Sequence, residues 1–237
     1  MTQKPLILAV ETSGRIGSVA IAFGGQLLAE ATFTGPMRHS AEIFPAVCGL
    51  LDRFSRKSEE IGHIYISVGP GSFTGLRIAV TLAKTMHLAN AAKIVAVDTL
   101  DIIAANAVNL TTQNHEPQTT SHEKIATILD AKRGQFFIAV YQRNTSHRVW
   151  QKVLPDSLMT ASDFLEQFAA ADQPIWLLGE GLVYYKDKFK ADGIFFLDEK
   201  YWRPRAEKVH LLGWQMALEG RFADALTLQP TYLRQPV

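Results

Sequence analysis

The run "LILAVETSGRIGSVAIAF", Leu6 to Phe23, decides how the chain is read. Leu6–Val10 is a continuous apolar stretch halted by Glu11, the pattern of a strand buried on both faces. Ser13–Gly17 has the composition of a turn, and Ser18–Phe23 is a second strand. Gly24-Gly25 then marks a hairpin before Leu27–Phe33, so a three-stranded meander is expected. The same order returns in "KIATILDAKRGQFFIAVYQRN", where a buried strand ends at Asp130, a turn spans Ala131–Gly134 and an alternating strand follows. The letters of the two halves differ. The order of their elements points to duplication.

Working outward, "AEIFPAVCGLLDRF" has helical spacing, in which Pro45 is a difficulty unless it falls in the first turn, where a missing N–H costs little. "HIYISVG" reads as a buried strand, residues Gly75–Ala89 as a helix, "KIVAVDT" as a strand and "LDIIAANAV" as a short helix. That order, β-β-β-α-β-α-β-α, predicts an α/β fold with a mixed sheet. Residues 111–123 are polar and aperiodic and read as a connector. Beyond them, "HRVWQKVL" is the expected third strand, "SDFLEQFAAAD" a helix capped by Ser162, and "PIWLLGEG" a strand. "AEKVHLLGWQMALEGR" is an amphipathic helix, followed by an extended tail. Two lobes are expected, 1–108 and 109–237, with the helix near 206–220 able to pack back on the first.

The chain has 237 residues, 47% hydrophobic and 20% charged, enough to bury a core without cross-links. Cys48 is its single cysteine, which excludes an internal disulfide framework. The apolar run at the N-terminus is too short for a signal sequence and no stretch reads as a membrane span, so a cytoplasmic protein is expected. A net charge of +1 offers no long-range attraction for nucleic acid.

"GPGSFTGLR" places Gly69, Gly71 and Gly75 around Ser72, Phe73 and Thr74, with Arg77 just beyond. Such a loop at a helix start can form an anion-binding nest, or serve as a tight turn capped by Ser72 or Thr74. It matches neither G-x-G-x-x-G nor the Walker pattern. On the helix that follows, Arg77, Thr81, Lys84 and Thr85 share one stripe, and Leu76, Ile78, Ala79, Val80, Leu82, Ala83, Met86 and Ala89 fill the rest. The preceding helix has a similarly wide apolar arc through Ile43, Phe44, Val47, Leu50, Leu51 and Phe54. Arcs this wide exceed one sheet face and predict a covering subunit, the alternative being cover by the chain's own second lobe. Glu11, Thr12 and Ser13, with Asp130 in the second half, stand where a magnesium–nucleotide cleft would place its carboxylates; turn chemistry explains them equally. None of the seven histidines has a histidine four residues on, and Cys48 reads as packing, so no metal site and no nucleophile is expected.

The segments "AVETSGRIGSVAI", "RHSAEIFPAVCGLL", "SVGPGSFTGLRIAVTLAK", "VDTLDIIA", "ILDAKRGQFFIAVY" and "PTYLR" together resemble the TsaB (YeaZ) family of bacterial tRNA threonylcarbamoyladenosine biosynthesis proteins, over about residues 6–235. The resemblance implies a two-lobed actin/Hsp70/sugar-kinase-like fold. It implies a non-catalytic subunit that pairs with TsaD, the metal-carrying transferase that modifies the adenosine just 3′ of the anticodon, with the ATPase TsaE joining them. The heterodimer would form through the two helices above, whose implied contact residues are Ile43, Phe44, Val47, Leu50, Leu51, Leu76, Ala79, Leu82, Ala83 and Met86. A homodimer is implied when TsaD is absent, and tRNA only within the complex. No cofactor of its own is implied, ATP or ADP at the complex interface staying open, and the metal is expected on TsaD alone. The metal helix of the transferase carries His-x-x-x-His, and here His39 is followed by Ile43. The family has Asp where this chain has Glu11, and Gly where it has Ala79. The rival reading is an active phosphotransferase or ATPase of the same fold; a peptidase ranks below both.

Overall fold

The computed structural model describes residues 4–107, 124–143 and 150–233. The expected connector at 111–123 and the start of the strand expected at 147–154 lie outside the described residues. The chain forms two compact units, one running to Ile102 and resuming over Pro204–Thr231, the other Ile103–Arg203.

The first unit holds a five-stranded mixed sheet built on β1 (Leu6–Glu11), β2 (Ser18–Phe23), β3 (Gln26–Thr32), β4 (Ile61–Gly69) and β5 (Lys93–Asp98), in the order β3-β2-β1-β4-β5. The meander is antiparallel, while β4 and β5 run parallel to β1. Helices α1 (His39–Arg53), α2 (Phe73–Asn90) and α3 (Thr99–Ala104) occupy the connections. Because side chains alternate across a strand, β1 serves two cores. Leu6, Leu8 and Val10 join Ile43, Leu50, Ala79 and Leu82 on the α1–α2 side. Ile7 and Ala9 join Ala20, Ala22 and Tyr65 on the other.

That second face is covered by α6 (Ala206–Leu218), numbered after the two helices of the second unit. Alanines on the sheet let it approach closely, and a Cβ at Gly213 would fall 2.6 Å from the Tyr65 ring. Its start is tied to the meander: the Ala206 N–H donates to Ser18 Oγ at 2.8 Å, and Arg205 grips Glu30 through Nε and Nη2.

The second unit repeats the pattern with β6 (Lys124–Asp130), β7 (Gln135–Arg143), β8 (Trp150–Thr160), β9 (Ile175–Leu178) and β10 (Ile194–Phe196), ordered β10-β9-β6-β7-β8. Helices α4 (Ala161–Phe168) and α5 (Leu182–Tyr185) belong to it. Its centre is aromatic: Phe136 meets Phe189 edge-on with ring centres 4.9 Å apart, and Phe164 closes on Phe189 at 5.8 Å. Glu11 and Asp130 end the central strand of their respective sheets, so the duplicated order holds as a topology.

Three local expectations change. Pro45 lies inside α1 rather than in its first turn, on the exposed side of the helix. The cap of α4 is Thr160, whose Oγ1 accepts from Asp163 N–H while Asp163 reaches back to the Thr160 N–H, so the expected cap Ser162 lies two residues too late, inside the helix. The strand at β8 runs on to Thr160 across Pro155, which is tolerated because β8 pairs only with β7.

The joint between β4 and α2 is set by backbone contact. A Cβ on Gly71 would sit 2.6 Å from the Ser13 carbonyl oxygen, and one on Gly75 would collide with the Thr12 carbonyl. Gly75→Ala is therefore expected to destabilise the protein by about 2 kcal/mol or more, whereas Gly49→Ala, in α1 with open space around it, is expected to stabilise by about 0.5–1 kcal/mol. Urea denaturation of both variants checks the contrast.

Candidate functional site

The apolar arcs of α1 and α2 are covered by the chain itself. Ile43, Leu50, Leu51, Ala79, Leu82 and Ala83 belong to the first unit's core, Leu76 is buried, and Val47 and Met86 pack against the same core. Of the residues implied as partner contacts, Phe44 alone stands clear, 60% exposed. Helical period measures the width of an apolar arc but not the number of walls available to it. Here the sheet, the neighbouring helix and the segment carrying Ala223, Ala225 and Leu228 supply them. Lys84 Nζ reaches the Leu226 carbonyl and helps hold that segment along α2.

The surface left open is the other stripe. Thr74, Arg77, Thr81 and Thr85 are exposed, as is Leu88 one turn further on. Between this stripe and the start of α1 runs an apolar groove of about 450 Å³, with Ile43, Ile78 and Leu82 among its lining and Phe44 and Phe73 exposed along it. The Arg77 guanidinium carbon lies 3.7 Å from the centre of the Phe73 ring. Phe73 and Thr74 of the expected loop, and Arg77 just beyond it, thus line the groove.

The rest of that loop is a structural joint. Ser72 N–H donates to the Ser13 carbonyl at 2.8 Å, and Ser72 Oγ caps α2 by accepting from Gly75 N–H at 3.3 Å. Thr12 Oγ1 donates to the Gly75 carbonyl at 2.8 Å. The Ser72 and Gly75 N–H groups are thus engaged within the fold. Gly69 is buried with φ of +119°, and a Cβ there would meet the Thr231 carbonyl at 2.6 Å.

The acids serve their turns. Glu11 is fully buried, and its Oε1 accepts from Ser13 N–H and Ser13 Oγ at 2.5 Å and from Gly14 N–H at 3.2 Å. Burial pushes its carboxyl from 4.5 up to about 7, against the pull of those donors. Thr12 and Ser13 are buried with it. Asp130 accepts from Lys132 N–H and pairs with Lys132 Nζ, both at 2.7 Å. His39 is buried, with Nε2 3.1 Å from the Gly14 carbonyl, and burial lowers its pKa. Glu11 and Asp130 thus each bind the turn that follows them, while Glu11 Oε2 is buried without a hydrogen-bond partner among the described residues.

Two mixed sheets sharing one strand order, each with an acid ending its central strand, define the actin/Hsp70/sugar-kinase-like class. Comparison narrows this. The family model TsaD, tRNA N6-adenosine threonylcarbamoyltransferase, matches residues 34–178. The tRNA threonylcarbamoyladenosine biosynthesis protein TsaB of Bacillus subtilis is 31% identical over 96% of this chain and 93% of its own length. Its Escherichia coli counterpart is 26% identical over 98% and 95%. YeaZ from Pseudomonas aeruginosa superposes with a TM-score of 0.77 at 24% identity, covering 97% of this chain and 100% of that one. A P. aeruginosa structure described as similar to the peptidase YeaZ gives 0.79 at 23%, with the same coverage. The chain belongs to the TsaB family. No described helix is long and apolar enough to cross a membrane.

The buried Glu11 carries a pH signature. Between 4.5 and about 7 the folded state keeps a proton that the unfolded chain releases, so stability falls as pH rises through that window. The loss is on the order of 3 kcal/mol. His39, His63 and His210, all lowered by burial, act in the opposite sense and weaken the fold as pH falls. Comparing Glu11→Gln with the parent at each pH isolates the acid. The variant should gain on the parent between pH 5 and pH 8, about tenfold or more in the folding constant, by urea denaturation.

Proposed function

We propose that this chain is a non-catalytic partner subunit in the formation of N6-threonylcarbamoyladenosine on tRNA, docking on TsaD through the groove between α1 and α2. The observation that carries the reading is the groove itself. It is an apolar channel on a two-helix face, with Phe44 in its lining and 60% exposed. Family membership supports the pathway, and the TsaD match supports a related chain as the partner. The turn-bound state of Glu11 and Asp130 supports leaving chemistry to TsaD. In this reading the metal and any ATP or ADP belong to the TsaD side, TsaE and tRNA join only the assembled complex, and two copies pair weakly when TsaD is absent.

Reconstitution tests it. The chain, TsaD, TsaE and the threonylcarbamoyl donor should modify tRNA together, with loss of modification when the chain is omitted and no ATP turnover by the chain alone. Phe44→Arg is the informative variant, because Leu82 and Val47 pack on the core and their replacement by Arg would report on folding. Phe44→Arg should stay folded and lose TsaD binding by at least about tenfold. Parental binding and modification by this variant would contradict the proposal, as would ATP hydrolysis by the isolated chain that Glu11→Gln abolishes.

A further inference from the structure

The α1–α2 groove is lined by one charged residue, and no acid among the described residues of the first unit pairs with it. Arg77 lies over Phe73, both exposed, and the rest of the lining is apolar, serine or threonine. Among the described residues Arg77 has no ion-pair partner. From Phe73 to Asn90, α2 contains no Asp or Glu at all. On α1, Glu42 is engaged by both the N–H and the hydroxyl of Thr34 and by Arg38, and Asp52 sits in the last turn, away from the groove lining at Ser40 and Phe44.

A partner that covers the groove takes this guanidinium out of water. Leaving it unpaired there is strongly unfavourable, because a desolvated charge keeps none of its hydration. Stacking on Phe73 fixes the plane of the group but leaves its N–H donors unsatisfied, because a ring face is no substitute for an oxygen acceptor. A planar fork with five donors is matched best by a carboxylate. A second copy docking through the same two helices would bring an acid-free α2 with another Arg77, and on α1 only Glu42, already engaged by Thr34 and Arg38, and Asp52.

We propose that Arg77 selects the occupant of the groove: an apolar helix of a different protein that carries an Asp or Glu carboxylate opposite Arg77, in preference to a second copy of this chain. This rests on the reading that the groove receives TsaD and adds to it the charge rule by which hetero-pairing outcompetes self-pairing.

The test compares the parent, Arg77→Gln and Phe44→Arg for TsaD affinity by biolayer interferometry at about 0.05 M and about 0.5 M salt, and for self-association by sedimentation, with circular dichroism as the check on folding. Arg77→Gln is expected to weaken TsaD binding by at least about tenfold, to flatten its salt dependence, and to leave self-association unchanged or tighter. Parental TsaD affinity for Arg77→Gln, alongside loss of binding in Phe44→Arg, would overturn the charge rule and leave the groove reading standing. An equal loss of self-association and TsaD binding in Arg77→Gln would also overturn it, since Arg77 would then not discriminate. Parental binding by Phe44→Arg would overturn the groove reading and the charge rule together.

Discussion

The first unit is organised around a place where two backbones touch. The carbonyls of Thr12 and Ser13 lie so close to Gly75 and Gly71 that no side chain fits between them. Hydrogen bonds from Ser72 N–H to Ser13 and from Thr12 Oγ1 to Gly75 close the contact. This joint fixes where α2 leaves the sheet and which way its faces turn. With the apolar arc rolled inward onto β1 and β4, the stripe through Arg77, Thr81 and Thr85 faces out and forms one side of the groove. The same contact buries the turn after β1, which is why Glu11 acts as a turn-forming acid with a raised pKa instead of an exposed ligand.

The loop uses the Ser72 and Gly75 N–H groups to join two segments of one chain, and Glu11 Oε1 is held by three donors of its own turn. What remains available to other molecules on this face is shape, apolar area and a single cation. Those are the properties of a docking surface.

The architecture was legible because it rests on period and punctuation. Apolar runs ending at Glu11 and Asp130, each followed by a turn and an alternating strand, report duplicated sheets with no side-chain detail required. The site was legible only in part. Period marks the two helices but does not say what covers their apolar arcs, because the segment with Ala223, Ala225 and Leu228 that helps close the core carries no periodic signal. The exposed stripe was visible as a cluster of Arg and Thr, a pattern that reads as ordinary solvated surface until Phe44 and Phe73 are seen flanking it. The exchange of Ser162 for Thr160 as a cap has the same origin: both residues suit the role, and tertiary register decides between them.

The claim that the α1–α2 groove is the partner face is tested most directly by hydroxyl-radical footprinting of the chain with and without TsaD. Phe44 and Phe73 should lose reactivity on mixing, while Tyr184 and Phe195, exposed on the second unit, keep theirs. Undiminished reactivity at Phe44, with protection at Tyr184 or Phe195 instead, would contradict the account.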